Sequence, residues 1–404
     1  MPLTAALFRS LAIAGALAAA DASAQVSDGV VKIGVLTDMS SLYADATGTG
    51  SALAARLAVE DFAPERRGLK VQVVEADHLN KPDVGAAIAR RWYDVEQVDA
   101  IADVPNSAVA FAVHQLTRER GKALLISGAA SSDLTGKACS PNTVHWTYDT
   151  WMLASGTGSA VVRTGGDSWF FLTADYAFGH ALERDTEAVV ARSGGKVLGR
   201  ARHPLNTQDF GSFLLLAQAS RAKVIGLANA GGDTTNAIKQ AAEFGIVKGG
   251  QRLAGLLVGI TDVHALGLPT AQGLTFVEAF YWDRDERTRA FARRFAERNR
   301  GIHPTMIHAG VYSAVLHYLK AVEALGSDDG TRVVAKMKEL PTDDPLFGRG
   351  TIRADGRKLH PVYLVEAKAP SESRAPWDYY HVRATIPAEQ AFRPLAEGGC
   401  PLVR

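Results

Sequence analysis

The side chains of this chain with chemistry to offer are small hydroxyls, and they recur at one kind of place. Ser40 and Ser41 follow the apolar run "VKIGVLTD" (residues 31–38), Asn106 and Ser107 follow "VDAIADV" (98–104), and Ser131 and Ser132 follow "KALLISGA" (122–129). Hydroxyls beside the free N–H groups of a helix start make a neutral anion clamp, suited to a carboxylate without any fixed positive charge. Each serine taken alone also serves as an N-cap, worth about 1 kcal/mol to its helix; three sets at the ends of three runs argue for a site. Further along, "ADYAFG" (174–179) and "ANAGGDTT" (228–235) offer aromatics and one acid, Asp233. An acid facing a hydroxyl clamp suits a zwitterion or a donor group, and Asp233 is equally suited to cap the helix that follows it. Tyr43, Tyr176, Phe178, Tyr281 and Trp282 are candidate cleft walls, or else core aromatics.

Other chemistries lack their motifs. Gly48-x-Gly50 follows the first run, but the third glycine of a dinucleotide fingerprint is replaced by Leu53, and the turn runs about ten residues beyond the strand where that fingerprint is tight. There is no P-loop, no G-x-S-x-G elbow and no H-E-x-x-H. The 11 histidines form no ligand-spaced cluster; His303, His308 and His317 share one helical region and read as surface or satisfied core residues. No metal and no cofactor are therefore expected. An exported α/β enzyme remains the alternative from another class, and a nucleophile–base pair within a cleft would be its mark. The two cysteines, Cys139 in "KACSPN" and Cys400 in "GGCPL", sit in turn-like settings. In an exported chain they can pair and tie the tail to the first lobe; in a cytosolic one they would be free and buried.

The elements that must position these residues follow from alternation. Strand-like "VKIGVLTD", "LKVQVVEAD", "VDAIADV" and "KALLISGA" are separated by amphipathic helical stretches, and the order restarts with "SWFFLTAD", "KVLGRARH", "KVIGLANA" and "QRLAGLLVG". Two successive blocks of this kind predict an α/β protein of two similar doubly wound lobes. Helical stretches at 289–299 and 308–325 and β-like "PVYLVEAK" and "WDYYHVRATI" come after both blocks. The C-terminal third is thus expected to cross back and complete both sheets, making a multi-crossing hinge with a cleft. The expected division is 25–148 with 280–355, 149–279 with 356–385, and a tail over 386–404. Residues 1–24 read as a secretory signal: Arg9, an apolar run over 11–20, then Ala22-Ser23-Ala24. Such a run is too short to span a bilayer, and a loosely packed N-terminal helix is its alternative. A chain of 404 residues, 47% hydrophobic and 22% charged, has room for two cored domains, and its net charge of +1 gives no reason to expect a nucleic-acid or membrane-surface partner. The sign-alternating "DRDERTRAFARRFAERNR" reads as a solvated helix face.

At the level of whole segments the chain resembles the leucine/isoleucine/valine-binding family, type I periplasmic solute-binding proteins of ABC importers. The segments that carry the likeness are "VKIGVLTDMSSLYADATGTGSALAARLAVED", "SGAASSDLT", "DYAFGHAL", "GGDTTNAIKQAAEFGI" and "AQGLTFVEAFYW", in that order. The resemblance implies a periplasmic, monomeric protein that captures a small solute, an amino acid or related carboxylate, and presents it to a membrane permease. It places Ser107 and the run Ala129, Ala130, Ser131 where the family holds the ligand carboxylate, Phe178 on an aromatic that closes over the ligand, and Asp233 on the acid that receives an α-amino group. Three departures bear on the ligand: Leu42 and Gly128 stand where the family has prolines, and Phe178 where it has a tyrosine. A sensory receptor of the same fold, for amides or aromatic acids, is the alternative within the family.

Overall fold

The computed structural model describes residues 26–403; the expected signal segment lies outside the described residues. Strands β1 (Val31–Thr37), β2 (Val71–Asp77), β3 (Ala100–Asp103), β4 (Ala123–Ile126) and β5 (Thr143–His145) form a parallel sheet in the order β2-β1-β3-β4-β5. Its central strands β3 and β4 are buried at every residue, as expected of parallel strands covered by helices on both faces, whereas the edge strand β2 is partly exposed throughout. Strands β6 (Ser168–Ala174), β7 (Lys196–His203), β8 (Val224–Ala228) and β9 (Arg252–Gly255) form a second parallel sheet in the order β7-β6-β8-β9. In both sheets the second strand lies outside the first and the chain crosses over to place the third. That reversal opens a crevice beyond the carboxyl ends of β1 and β3 in one sheet, and of β6 and β8 in the other.

The C-terminal third departs from expectation. Strands β10 (Thr275–Glu278), β11 (Thr342–Asp344), β12 (Gly348–Ile352), β13 (Lys358–Leu359), β14 (Val362–Ala367) and β15 (Tyr380–Ile386) do not join the parallel sheets. They form two three-stranded antiparallel sheets, β10-β14-β15 and β11-β12-β13. From β11 onward consecutive strands are joined by loops without helices, and entry into a parallel sheet needs a longer crossover. Among the described residues their ladder contact with the first sheet is the isolated bridge His145–Arg357.

The helix Glu286–Arg298 lies against Gly48–Phe62, and the helix Met306–Leu325 covers the first sheet and packs along Gly48–Phe62 as well. That contact explains one glycine of the early pair: a Cβ at Gly50 would lie 2.5 Å from His308 Nε2. Its neighbour Gly48 starts the helix at φ +52, where side chains are disfavoured.

Up to β15 the chain passes between the two halves three times, after β5, after β10 and after β13. The first and third passes are held together by buried groups: Arg357 Nη1 donates to the Tyr148 carbonyl at 3.0 Å, and His360 Nε2 donates to that of Thr147 at 2.7 Å. Burial lowers the Arg357 guanidinium to about 10, while Asp149 beside it acts in the opposite sense. After β15 the tail returns to the first lobe. On the way Ser155 of the second lobe donates to the Gln390 carbonyl at 2.9 Å; then Arg393 donates to the Ser132 carbonyl at 3.0 Å, and a Cys139–Cys400 disulfide closes the course with its Cα atoms 5.6 Å apart.

Candidate functional site

The crevices of the two sheets face each other across a cavity with about 50 Å³ of free volume. The loop after β1 contributes Tyr43, Ala46 and Thr47, the turns after β3 and β4 contribute Pro105, Gly128 and Ala130, and the first crossing contributes Tyr148. The N-terminus of the helix Met306–Leu325 adds Thr305, Met306 and Ile307. The opposite wall holds Tyr176 and Phe178 after β6, Ala230 and Gly231 after β8, and Leu257, Gly259, Thr261 and Asp262 after β9.

The wall is largely apolar and aromatic. Asp38 sets the loop after β1: its carboxylate accepts the Ser41 N–H at 2.9 Å, the Tyr43 N–H at 2.8 Å and the Asn80 amide at 2.6 Å. So positioned, the Tyr43 hydroxyl shares a 2.6 Å hydrogen bond with that of Tyr176 from the other lobe. Tyr148 donates to the Gly128 carbonyl at 2.6 Å. Burial pushes all three phenols up, so they are neutral donors and acceptors at physiological pH. The hydroxyls of Thr47 and Thr305 are spent on the carbonyls of Tyr43 and Ala46, at 3.0 and 2.8 Å. No Lys, Arg, His or Cys lines the cavity, and no group of three metal-ligating side chains occurs among the described residues.

Of the residues singled out from the sequence, Tyr43, Ala130, Tyr176 and Phe178 meet in this wall. Ser40 and Ser41 lie further out and line an adjoining polar chamber with Asp45, Asn206, Gln208 and Asn236. Their hydroxyls bond to Asp77 and Asp38. Ser107 and Ser131 sit one layer behind the wall: the Ser107 hydroxyl accepts the Ser131 N–H at 3.2 Å, and the buried Ser131 hydroxyl has no partner. Ala129 is in the core, its carbonyl accepting from His145 Nε2 at 2.7 Å. Asp233 turns away from the cavity, with its oxygens receiving the N–H groups of Asn206 at 3.1 Å and Thr207 at 2.8 Å. Tyr281 is buried in the second lobe, 4.9 Å ring to ring from Tyr380.

Sequence reasoning passed over Tyr148, Thr305 to Ile307 and Asp262. The capping threonine before the long helix was a usable signal for Thr305. Asp262 follows the strand-like "QRLAGLLVG", whose end was not searched as those of the earlier strands were. This acid borders both the cavity and the outer chamber. Burial, with the negative charge of Asp45 nearby, raises it to about 6.

Comparison with known proteins gives this geometry its kin. A model of a periplasmic binding protein family matches residues 30–373. A solved periplasmic binding protein from Burkholderia mallei is 51% identical at a TM-score of 0.91, covering 94% of this chain and 100% of that one. A branched chain amino acid ABC transporter periplasmic ligand-binding protein from Burkholderia xenovorans is 41% identical at a TM-score of 0.83, covering 93% of this chain and 100% of that one. The Leu/Ile/Val-binding protein homolog 6 of Brucella melitensis is 26% identical over 303 residues, 71% of this chain and 75% of the relative. A cleft between two like lobes, walled by the loops at their strand ends, is thus an inherited arrangement, and the chain belongs to the periplasmic binding proteins that serve ABC transporters.

Proposed function

We propose that the cleft captures an amino acid or related small carboxylate, branched-chain or aromatic, and that the protein hands it unchanged to the membrane permease of an ABC importer. The observation that carries this reading is the apolar, aromatic cavity sealed across the lobes by Tyr43 and Tyr176. An apolar cleft with a few polar groups that fix orientation is the usual make-up of a small-ligand site. The ligand's carboxylate belongs at the first-lobe turn at Ala130, which borders the cavity, where backbone N–H groups replace a cation. Its side group packs on Phe178, Tyr148, Leu257 and Ile307. Contacts from both lobes exist together only in the closed form, so binding energy is converted into closure.

The test uses protein stripped of endogenous solute by unfolding and refolding with the disulfide intact. A ligand at about 100 times its Kd stabilises by about 2.7 kcal/mol, several degrees of melting temperature. A panel of aliphatic and aromatic amino acids and aromatic acids should yield at least one such shift. Mass spectrometry of the freshly purified protein should find the same class bound. If no member shifts the melt and a solute of another class co-purifies, the reading is wrong.

A further inference from the structure

After β15 the chain makes a fourth passage between the lobes, and this one is locked at its far end. The tail leaves the second lobe at Ile386 and reaches the Cys139–Cys400 bond on the first. Chain ends fray unless something ties them down, and this one is tied along its course. Ala391 and Phe392 are buried; the Arg357 guanidinium lies 4.6 Å over the Phe392 ring and the His360 ring is 5.3 Å away, so the tail packs on the third crossing. Further on, a Cβ at Gly136 would lie 2.7 Å from the Gly398 carbonyl oxygen, so the tail also runs hard against the first-lobe turn before Cys139.

What the tail covers is a seam where the lobes touch directly. The Ser132 hydroxyl donates to the buried Asp185 of the second lobe at 2.6 Å, and Arg184 beside it reaches Asp133 at 3.2 Å. Ser132 follows the cavity residue Ala130 by two positions, and Asp185 stands on the helix Ala177–Arg192, which carries the cavity residue Phe178. The tail bridges this seam. Arg393 donates to the Ser132 carbonyl at 3.0 Å while its guanidinium lies 5.8 Å from the centre of the Trp151 ring of the second lobe. Arg192, 4.9 Å over the same ring, pairs with Glu397 at 3.0 Å. An exposed pair of that kind is worth about 0–1 kcal/mol alone. With the far end of the tail locked, a contact that breaks stays near its partner and re-forms at high effective concentration, so the contacts act together.

We infer that residues 387–400 form an interlobe strap: locked by the Cys139–Cys400 bond, they hold the seam between Ser132 and Asp185 shut and limit how far the lobes part. The strap touches neither the cavity nor a solute. It acts through the two segments it joins, one leading from Ala130 and the other from Phe178, and so bears on both walls of the cleft at once. Its action is independent of which solute the cleft takes.

Two variants of the full chain, stripped of solute, test it. Cys139→Ser with Cys400→Ser unlocks the strap, and small-angle scattering well below the melting temperature should give a larger radius of gyration than the wild type has. Arg393→Met keeps the disulfide and the apolar stem beside Trp151 but removes the donor to Ser132. Amide hydrogen exchange in this second variant should quicken at least about 10-fold at Ser132 and Thr150, while the amides of β3 and β6 stay within about 3-fold of the wild type. Those two reporters lie on the seam: the Ser132 N–H donates to Thr150 Oγ1 at 3.0 Å, and the Thr150 N–H donates to the Ala130 carbonyl at 2.8 Å. An unchanged radius of gyration in the first variant, or wild-type exchange at both amides in the second, overturns the inference. A lowered melting temperature with both readouts unmoved makes the tail a staple against unfolding and nothing more, which overturns it equally.

Discussion

Tyr43 and Tyr176 occupy like positions in the two lobes, each on the loop that follows the first strand of its sheet, and their hydroxyls meet at 2.6 Å across the cleft. The bond joins lobes that must part to release a solute, so it belongs to the closed state alone. Tyr43→Phe or Tyr176→Phe keeps each ring in the wall and removes the bond. Closure then loses about 0.5–1.5 kcal/mol, and affinity for the captured solute should weaken about 3- to 10-fold with the fold intact. Titration calorimetry reads the affinity, and small-angle scattering of the ligand-free protein should show a larger radius of gyration for either variant.

A pH prediction attaches to His308. Its Nε2–H donates to the Thr47 carbonyl at 2.7 Å and its Nδ1 accepts the Thr305 N–H at 3.2 Å, so the ring ties two cavity segments together in its neutral form. Burial lowers it to about 4. The unfolded chain therefore takes up a proton near the ordinary histidine value while the folded chain refuses it. The stability that His308 contributes is full above about pH 6.5 and is lost as pH falls towards 4. His308→Gln should cost about 1–3 kcal/mol at pH 7.5, and the gap to the wild type should close as pH falls to 4 in denaturant titrations.

Gly50→Ala tests the reading of the glycine pair as a packing device. The added methyl would lie against the His308 ring and must force the helices Gly48–Phe62 and Met306–Leu325 apart. A loss of about 1–3 kcal/mol in denaturant unfolding is expected, as for other overpacked cores. Because Thr47 and Thr305 border the cavity, ligand affinity should fall with it.

The Cys139–Cys400 bond closes a loop with a sequence separation of 261. Replacing both cysteines by serine should cost about 2–5 kcal/mol by releasing the unfolded chain. Thermal melts with and without reductant should show the wild type descending to the variant's midpoint and the variant unmoved.

Asp233→Asn separates a structural acid from a selective one. The substitution replaces one of two acceptors for the Asn206 and Thr207 N–H groups with a donor. The melting temperature should drop, by about 1–3 kcal/mol in unfolding free energy. The preference between an amino acid and its des-amino analogue should stay at the wild-type value.

The parallel sheets were legible because each central strand is an unbroken apolar run flanked by helical periodicity, and β6 is buried at all seven residues. The antiparallel sheets were not, since β13 has two residues and β11 three, too few for any period to show. At the site, the loops after β1 and β6 could be read from strand ends and aromatics. Tyr148 and Met306 could not, because crossings distant in sequence bring them to the cleft. Ser107 and Ser131 show the limit of residue type as a guide: strand-end hydroxyls were read as facing a ligand, and here the pair bonds to itself behind the wall. Gly48 and Gly50 show it again, a nucleotide-like pair whose glycines serve a left-handed turn and a helix contact.

The tail's return has a consequence for how the molecule can be held. Near its start the described chain is fastened by Ser27, which bonds to Asp328 beside the long helix of the first lobe, and near its end by Cys400 on the same lobe. A pull on the N-terminal end of the described chain therefore loads that lobe, whereas the tail also pairs Glu397 with Arg192 of the second lobe at 3.0 Å, so a pull from the far end loads both lobes at once.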